Sequence, residues 1–138
     1  MDFSEHLIIS AAGSAAILAA GGDPKSAAAF AATGVFVDLD HFVDYWRETG
    51  LNWNLPRFLG YFSRRQVRRL VLPLHAWEGV LLGWGLSLAL GSPAWVDWAF
   101  FGWLQHLLLD QRFNGLHKMA YFFSFRVKQG FKVEKLYG

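Results

Sequence analysis

The sequence predicts an all-α integral membrane protein, a four-helix bundle with both termini in the cytoplasm and interfacial amphipathic segments beside it. Composition is the first reason: 54% of residues are apolar and 17% are charged, against roughly 45–50% and 25% in average globular domains. Four apolar runs of helical length are the second reason, and the placement of the cations between those runs is the third. At 138 residues the chain has the length of one domain, 1–138.

Composition also excludes several classes of site. The chain has no Cys, so it has no disulfides, thiolate zinc sites or cysteine nucleophiles. Its aromatic content is high, with seven Trp, four Tyr and thirteen Phe, as expected of a lipid-facing protein. The first residues, "MDFSEH", are acidic, so we expect no cleavable signal peptide and the first apolar run stays in the mature protein.

The first two helices are expected over residues of about 3–20 and 27–46. The first contains "LIISAAGSAAILAA" and is closed by the Gly/Asp/Pro turn "GGDPKS". The second is alanine-rich and then continues into the acidic segment "GVFVDLDHFVDYW". An apolar helix therefore runs directly into carboxylates and an imidazole.

The other two helices are expected over about 67–90 and 94–112, followed by an interfacial tail, 113–138. They contain "LVLPLHAWEGVLLGWGLSLAL", which ends at "GSP", and "AWVDWAFFGWLQHLLLD". A spanning helix needs about 20 apolar residues, and only the third run approaches this length. A soluble all-α bundle with an unusually apolar core therefore stays open as an alternative.

The cations favour the membrane reading. Between runs two and three lie Arg47, Arg57, Arg64, Arg65, Arg68 and Arg69. After run four lie Arg112, Lys118, Arg126, Lys128, Lys132 and Lys135. The other two connectors carry only Lys25. Because positive charge is retained on the cytoplasmic side, both termini are predicted inside, with residues 21–26 and 91–93 outside.

This topology brings polar side chains to one depth, near the cytoplasmic helix ends. The predicted metal ligands are His6, Asp38, His41, His75, His106 and Asp110. Within single helices, pairs of them are spaced i,i+3 or i,i+4 and so share a face. Further along the same faces the residues are small, such as Ser10, Gly34 and Gly102, which lets membrane helices approach closely.

Ionisable residues at membrane depth are costly and usually paired or functional, and divalent metal is a suitable partner. Imidazole and carboxylate groups suit zinc, with manganese or iron as other options, and their number suggests one or two ions. Explanations without a metal also fit some of these residues. His6 alone suits an interfacial helix start, and His75 with Glu78 suits a buried hydrogen-bonded pair. Asp40 and Asp44 fall on another face than Asp38, so at least one is expected to be solvated or capping.

Four stretches resemble one known family. His6, "GVFVDLDH", "LHAWEG" and "WLQHLLLD" are similar to motifs of the membrane-bound metal-dependent hydrolases, which are distantly similar to zinc-dependent phospholipases C. Val37 stands where members usually have Pro, and Glu78 stands where a second histidine of a His-Arg-Gly-x-x-His element is usual. The resemblance implies a metal-dependent hydrolase.

The sequence thus leads to a hypothesis of a membrane-embedded hydrolase in the inner membrane, acting on a lipid headgroup phosphoester at the cytoplasmic leaflet. Glu78 or Asp40 is the expected general base. The substrate-binding candidates are Arg64, Arg65, Arg68 and Arg69. The expected partners are the bilayer and a lipid or polyprenyl phosphate, with no nucleic acid. For those arginines, ordinary topogenic charge is an equally good reading.

Two alternatives from other classes remain at this stage. A non-catalytic metal-binding or ion-transporting membrane protein would also need a polar site among apolar helices, although a site at one end of the bundle suits an interfacial enzyme better than a transporter. A small regulatory membrane subunit would use the same polar residues to bind a partner helix.

Overall fold

The computed structural model describes residues 3–63 and 66–137, and this part of the chain is all-helical. Helices account for 73% of residues, and no strand occurs among the described residues apart from isolated bridges between Arg69 and Lys132 and between Leu116 and Tyr137. The all-α class expected from the sequence is confirmed. The α-helices are α1 (Phe3–Ala19), α2 (Pro24–Phe36), α3 (Asp40–Thr49), α4 (Leu55–Ser63), α5 (Trp77–Ala89), α6 (Ala94–Phe113) and α7 (Phe123–Lys128).

Two helical hairpins, α1–α2 and α5–α6, form the bundle. Each turn contains a glycine in the left-handed region, Gly21 at φ +83° and Gly91 at φ +65°, where residues with a Cβ are strained. A proline then begins or precedes the next helix, Pro24 or Pro93, because the first helical turn needs no proline N–H. The sequence chemistry of the two turns therefore sets the hairpin ends.

The hairpins also match in length. Pro24 follows His6 by 18 residues (24 − 6), and Pro93 follows His75 by the same 18 (93 − 75). Both turns lie at one end of the bundle, so the equal spacing brings His6 and His75 to the opposite end. This spacing was visible in the sequence, although the residues in between differ.

Small residues hold the helices close together, as their pattern predicted. A Cβ on Gly34 would collide with the Ser10 hydroxyl of α1, and one on Gly102 would collide with the Phe30 carbonyl of α2. The Thr33 hydroxyl donates a hydrogen bond of 2.6 Å to the Ala99 carbonyl. α2 therefore packs antiparallel to α1 and parallel to α6, with backbones in near contact.

The third helix expected from the sequence, at 67–90, corresponds to α5. This helix begins at Trp77, about ten residues later than expected. Residues 66–76 instead form a non-helical strap. Asp44 Oδ2 accepts the N–H groups of Val71 (2.7 Å) and Leu72 (3.2 Å), and Asp40 Oδ2 accepts that of Leu74 (2.8 Å). These carboxylates accept hydrogen bonds from backbone N–H groups of the strap, and Pro73 has no N–H group. These backbone groups are therefore hydrogen-bonded although the strap is not helical.

The second helix also differs from the expected 27–46. It begins at Pro24, with Asp23 as its N-cap, and is interrupted by a 3-10 turn, Val37–Leu39, before α3. The turn changes the helical phase just where the carboxylates begin. Asp38 therefore faces the bundle interior, while Asp40 and Asp44 point to the strap.

The bundle buries several polar side chains and exposes many apolar ones. Its interior contains small and polar side chains such as Ser10, Ser26 and Ser87, while leucines such as Leu82 (74% exposed) and Leu90 (74%) point outward. Among the described residues, one helical stretch, Pro24–Thr49, is long and apolar enough to cross a membrane. The four-span topology stays a prediction.

The C-terminal residues fold back over the end of the bundle that carries the histidines. Two short 3-10 helices, Lys118–Tyr121 and Val133–Lys135, flank α7. An apolar core ties this segment to α3, α4 and the strap; its buried members include Tyr45, Tyr61, Leu70 and Leu136. The expected interfacial tail is thus a structured cap over the candidate site.

Candidate metal centre

Four side chains meet at the capped end of the bundle. Asp38, His75, His106 and Asp110 each offer one ligand atom, and all four atoms lie within 4.8 Å of one another. Asp38 comes from the 3-10 turn, His75 from the strap, and His106 with Asp110 from one face of α6. Three of the four residues are buried, and the Asp38 side chain is 21% exposed. The bundle therefore brings together four residues that are far apart in the sequence.

The inward-facing atoms are close enough to share an ion. His75 Nε2 lies 3.1 Å from His106 Nε2. Asp38 Oδ1 lies 3.4 Å and 3.5 Å from these two nitrogens, and Asp110 Oδ2 lies 3.4 Å and 3.6 Å from them. Two imidazoles and two carboxylates form a mixed nitrogen and oxygen ligand set of the kind that zinc, manganese and iron accept.

The hydrogen bonds of the two Nδ1 atoms determine whether the Nε2 atoms of His75 and His106 carry a proton. His106 Nδ1 lies 2.9 Å from the Gly34 carbonyl, which can only accept, so Nδ1 carries the proton. His75 Nδ1 lies 3.2 Å from Asp40 Oδ2, a carboxylate oxygen that can only accept, which assigns the proton to Nδ1 in the same way. In the neutral rings both Nε2 lone pairs then point at each other and at two carboxylate oxygens. Four converging acceptors need a cation between them, and the residues present therefore fit a metal ion.

His6 lies behind this group instead of in it. Its Nε2 is 2.9 Å from Asp110 Oδ1, the oxygen that faces away from the other three ligand atoms, and its ring stacks on His106 at a centroid distance of 3.8 Å. His6 is thus not among the four clustered ligand atoms, and its contact with Asp110 suits a residue that orients this carboxylate, while its role as a direct ligand stays a prediction. A donor on the outer oxygen of a ligating carboxylate fixes its orientation.

A second group, Asp40, His41 and His75, also has metal-ligand spacing. His41 Nδ1 lies 3.4 Å from Asp40 Oδ1 and 3.5 Å from Asp38 Oδ1. The group shares His75 with the first one but uses its opposite nitrogen, Nδ1. Two ions would thus require His75 to bridge them after losing both ring protons, whereas one ion leaves Asp40 as the hydrogen-bond partner of Nδ1.

Protonation of His75 opposes metal binding. Burial by itself lowers the pKa of this imidazole, but hydrogen bonds that it donates to Asp110, Asp38 and Asp40 outweigh burial and raise the pKa well above 6.5. The metal-free site thus holds a proton where the metal-loaded site holds an ion. Metal and proton compete for the same nitrogen.

The two candidates for the general base are placed elsewhere. Both carboxylate oxygens of Glu78 accept hydrogen bonds from the start of α7: the N–H of Phe123 (2.9 Å), and the N–H (3.0 Å) and hydroxyl (2.8 Å) of Ser124. Asp40 is 4% exposed and is bonded to the strap and to His75. Glu78 thus anchors α7, and Asp40 Oδ2 contacts His75 and the strap while its Oδ1 has no hydrogen-bond partner. The role of either residue as general base stays a prediction.

At least one of Asp40 and Asp44 was expected to be exposed to solvent or to cap a helix. Both are buried, at 3% and 4% exposure. Asp44 caps backbone N–H groups of the strap instead of the end of its own helix. The strap supplies the partners for these carboxylates, and sequence spacing alone did not reveal it.

Of the arginines proposed for substrate binding, the two that the structure describes, Arg68 and Arg69, do not lie at the four-ligand site. Arg64 and Arg65 lie outside the described residues. Arg68 and Arg69 are exposed, and their backbone N–H groups bind the Glu48 carboxylate, at 3.1 Å and 2.9 Å. Their side chains border a separate surface hollow with Lys132. Their positions suit the topogenic reading at least as well as substrate binding.

A cavity of about 1110 Å³ leads to the ligand set. Its walls come from α1, α3, α4, the strap and the C-terminal cap and are mostly aliphatic and aromatic, with residues such as Ile8, Phe58 and Leu136. Asp38, His41, His75 and Asp110 lie on its surface. The site thus combines a polar group of potential metal ligands with an apolar volume large enough for an acyl or prenyl chain.

Sequence reasoning missed one residue on this cavity, Arg126. It was counted among the tail cations, yet it is 2% exposed and lines the same wall as His75. Its setting in "YFFSFRVK", with aromatic residues before it, was the available signal. A cation among aromatics was read as interfacial, and the cap buries it instead.

Comparisons with known protein families, characterised proteins and solved structures find no match for this chain. The site geometry therefore carries the functional argument.

Proposed function

We propose that this protein is a membrane-embedded, metal-dependent hydrolase that acts on a lipid phosphoester at the cytoplasmic leaflet. One observation carries the proposal: a buried set of two histidines and two aspartates opens into an apolar cavity of about 1110 Å³. A metal beside a largely apolar volume suits a substrate with a polar head and a hydrocarbon chain.

The outward leucines support insertion into a bilayer. Large apolar side chains on α1 and α5 are exposed, among them Leu18 (48%), Leu82 (74%) and Leu86 (60%). Extensive exposed apolar surface is typical of membrane or protein contact sites. α6, with 20 residues, is about 30 Å long and matches the hydrocarbon thickness. The 13 residues of α5 reach only about 20 Å, so in this arrangement the strap and the cap would cover the remaining distance to the interface.

The cations orient the bundle. The hairpin turns carry only Lys25, whereas the other Lys and Arg of the described residues lie in the segments at the opposite end. By the positive-inside rule that end faces the cytoplasm. The metal ligands lie at the same end, so a headgroup in the inner leaflet is within reach.

Each residue has a role in the proposed site. Asp38, His75, His106 and Asp110 hold one divalent ion, with zinc first and manganese or iron as alternatives, while Asp40 and His6 fix the orientation of two of these ligands. A bound ion supplies Lewis acidity and makes water a better nucleophile. His41, on the cavity wall, accepts the proton as water oxygen bonds to phosphorus and the ester P–O bond breaks. The leaving oxygen then takes up a proton.

Metal analysis tests the central claim. Detergent-purified wild-type protein should carry about one divalent ion per chain, and His106→Ala and Asp38→Ala should each lose it. His117→Ala is the matched control, because His117 is exposed and caps a 3-10 helix. A wild-type protein without stoichiometric metal under non-chelating conditions would contradict the proposal, and two ions would favour the bridged arrangement at His75.

One observation favours a second candidate, a non-catalytic metal-binding membrane protein. Four protein ligands already complete a tetrahedral set, as in structural zinc sites, whereas catalytic zinc sites usually keep one open position. Phosphate release from vesicles containing lipid phosphates separates the two. Release that depends on His106 supports the hydrolase, and bound metal without release from any of these lipids supports the second candidate.

The orientation has its own test. The chain has no native Cys, so single cysteines report sidedness without background. Lys25→Cys should react with an impermeant maleimide from the outside of intact cells, and Arg57→Cys should react only after permeabilisation. The reverse labelling would place the site in the outer leaflet.

A further inference from the structure

Arg126 is a buried cation without an ion-pair partner among the described residues. It lies on α7 and is 2% exposed. One Nη donates to the His75 carbonyl at 2.9 Å, and Nε is buried with no hydrogen-bond partner. Guanidinium offers five N–H donors, so most of its hydrogen-bonding capacity is unused.

Burial leaves the charge of Arg126 incompletely compensated. Burial lowers the pKa of Arg126, the carboxylates of Asp40, Glu78 and Asp44 act on the guanidinium from beyond ion-pair distance, and the Phe123 ring lies 5.7 Å from its central carbon. A buried charge is costly unless it is paired and hydrogen-bonded. The C-terminal cap therefore holds in place a cation whose full pairing requires something that the described residues do not supply.

The location identifies what would complete the pair. Arg126 lines the apolar cavity together with His75 and Asp110, and its bond to the His75 carbonyl places it beside a residue of the ligand set. An anion at the guanidinium would thus lie at the polar end of the cavity, while a hydrocarbon chain attached to it would extend along the apolar walls.

We propose that Arg126 is the receptor for the phosphate group of an amphiphilic phosphate ester, whose chain occupies the cavity. Guanidinium binds phosphate through paired N–H donors, which gives both affinity and orientation. The inference rests on the proposed function in that this phosphate is the group to be hydrolysed. It makes Arg126, and not the exposed arginines of the strap, the residue that specifies an anionic head.

Binding measurements test the receptor role. The probes are dodecyl phosphate, inorganic phosphate and uncharged dodecyl maltoside, added to protein in a zwitterionic detergent by calorimetry. Dodecyl phosphate should bind most tightly, and Arg126→Gln should weaken it about tenfold or more, since charged hydrogen bonds are lost. Lys128→Gln, the same charge change at an exposed position of α7, should bind like wild type. Equal binding by Arg126→Gln and wild type would overturn the proposal.

A measurement on unmodified protein covers the case in which Arg126→Gln does not fold. In protein labelled with 15N-arginine, the Nε–H resonance of Arg126 is assigned by its loss in Arg126→Lys. It should shift downfield on titration with dodecyl phosphate, because the unpartnered Nε gains a charge-assisted bond. No shift under saturating dodecyl phosphate would refute the receptor role. Inorganic phosphate that binds as tightly as dodecyl phosphate would refute a cavity-bound chain.

The design also separates this inference from the proposed function. Both measurements are made on metal-free and zinc-loaded protein. Binding that depends on Arg126 in both states, without hydrolysis, supports the receptor role of Arg126 and contradicts the proposed hydrolase function. Zinc-dependent hydrolysis that Arg126→Gln leaves unchanged, with its zinc content intact, keeps the hydrolase and contradicts the receptor.

Discussion

The Nε2 atoms of His75 and His106 lie 3.1 Å apart, and neither neutral ring has a proton to donate to the other. The Gly34 carbonyl and Asp40 bind the two outer nitrogens, which directs both lone pairs inward. Two aspartate oxygens face the same space. This arrangement repels itself unless a cation or protons occupy its centre, and it is the reason to look for metal.

Removing the hydrogen bond behind a ligand should weaken metal binding without removing a ligand. Asp40→Asn keeps the size of the side chain but loses the carboxylate at His75 Nδ1, so zinc affinity should fall about 10–100-fold. Chelator competition with the purified protein measures this. Asp97→Asn is the control, because Asp97 binds Trp84 at the distant hairpin turn and should leave zinc affinity unchanged.

Metal binding should depend on pH in a defined direction. Because neighbouring carboxylates raise the pKa of His75 above 6.5, protons compete with zinc even at neutral pH, and zinc affinity should fall as the pH is lowered. In the metal-free protein the protonated His75 stabilises the fold below pH 6.5, and this contribution is lost as the pH rises through the raised value. Thermal unfolding with and without zinc should therefore show the largest zinc effect at high pH. A zinc effect that grows on acidification would contradict the assignment.

The glycines of the bundle differ in the space available for a Cβ, so their alanine variants should differ in stability in a predictable order. Gly102→Ala places a Cβ against the Phe30 carbonyl, which cannot move away, and should destabilise the protein by about 1–3 kcal/mol. Gly34→Ala meets the Ser10 hydroxyl, which can rotate, so its cost should be smaller. Gly85 has open space around its Cβ position, and Gly85→Ala should stabilise α5 by about 0.5–1 kcal/mol. Denaturant unfolding in detergent gives the order, and equal effects of Gly102→Ala and Gly85→Ala would refute the close packing.

Glu78 should matter for the cap and not for the metal. Glu78→Ala removes three hydrogen bonds to the start of α7 and should cost about 1.5–3 kcal/mol, as for other bonds to a charged group. Zinc content should stay at the wild-type value. Glu134→Ala, at an exposed position of the C-terminal segment, provides the stability control, and loss of zinc from Glu78→Ala would restore a role for Glu78 at the ligand set.

Local signals were sufficient for the two hairpins. Glycine and proline in "GGDP" and "GSP" set the turns, and the small residues at Gly34 and Gly102 marked the faces that meet. Once two hairpins of equal length pack side by side, polar residues near the helix ends are brought to one level. Asp38, His75, His106 and Asp110 were predicted as ligands on this ground, and the structure brings these four together.

Local sequence signals did not predict the strap or the cap. Residues 66–76 are apolar enough to be taken as helix, and partners distant in the sequence, the carboxylates of Asp40, Asp44 and Glu48 and the Phe131 carbonyl, bind their backbone N–H groups in the non-helical path. The burial of Arg126 likewise depends on where the C-terminal segment folds back. Such long-range contacts leave no periodicity in the sequence.

The sequence by itself determined the helical class, the two turns and the residue types at the capped end, because each follows from neighbours within a few turns of helix. Only the tertiary structure decided which imidazole nitrogen faces inward, that His6 contacts Asp110 from outside the four-residue cluster, and that Glu78 holds α7. These assignments depend on the direction of single hydrogen bonds between distant segments. They become fixed only when the strap, α6 and the cap meet.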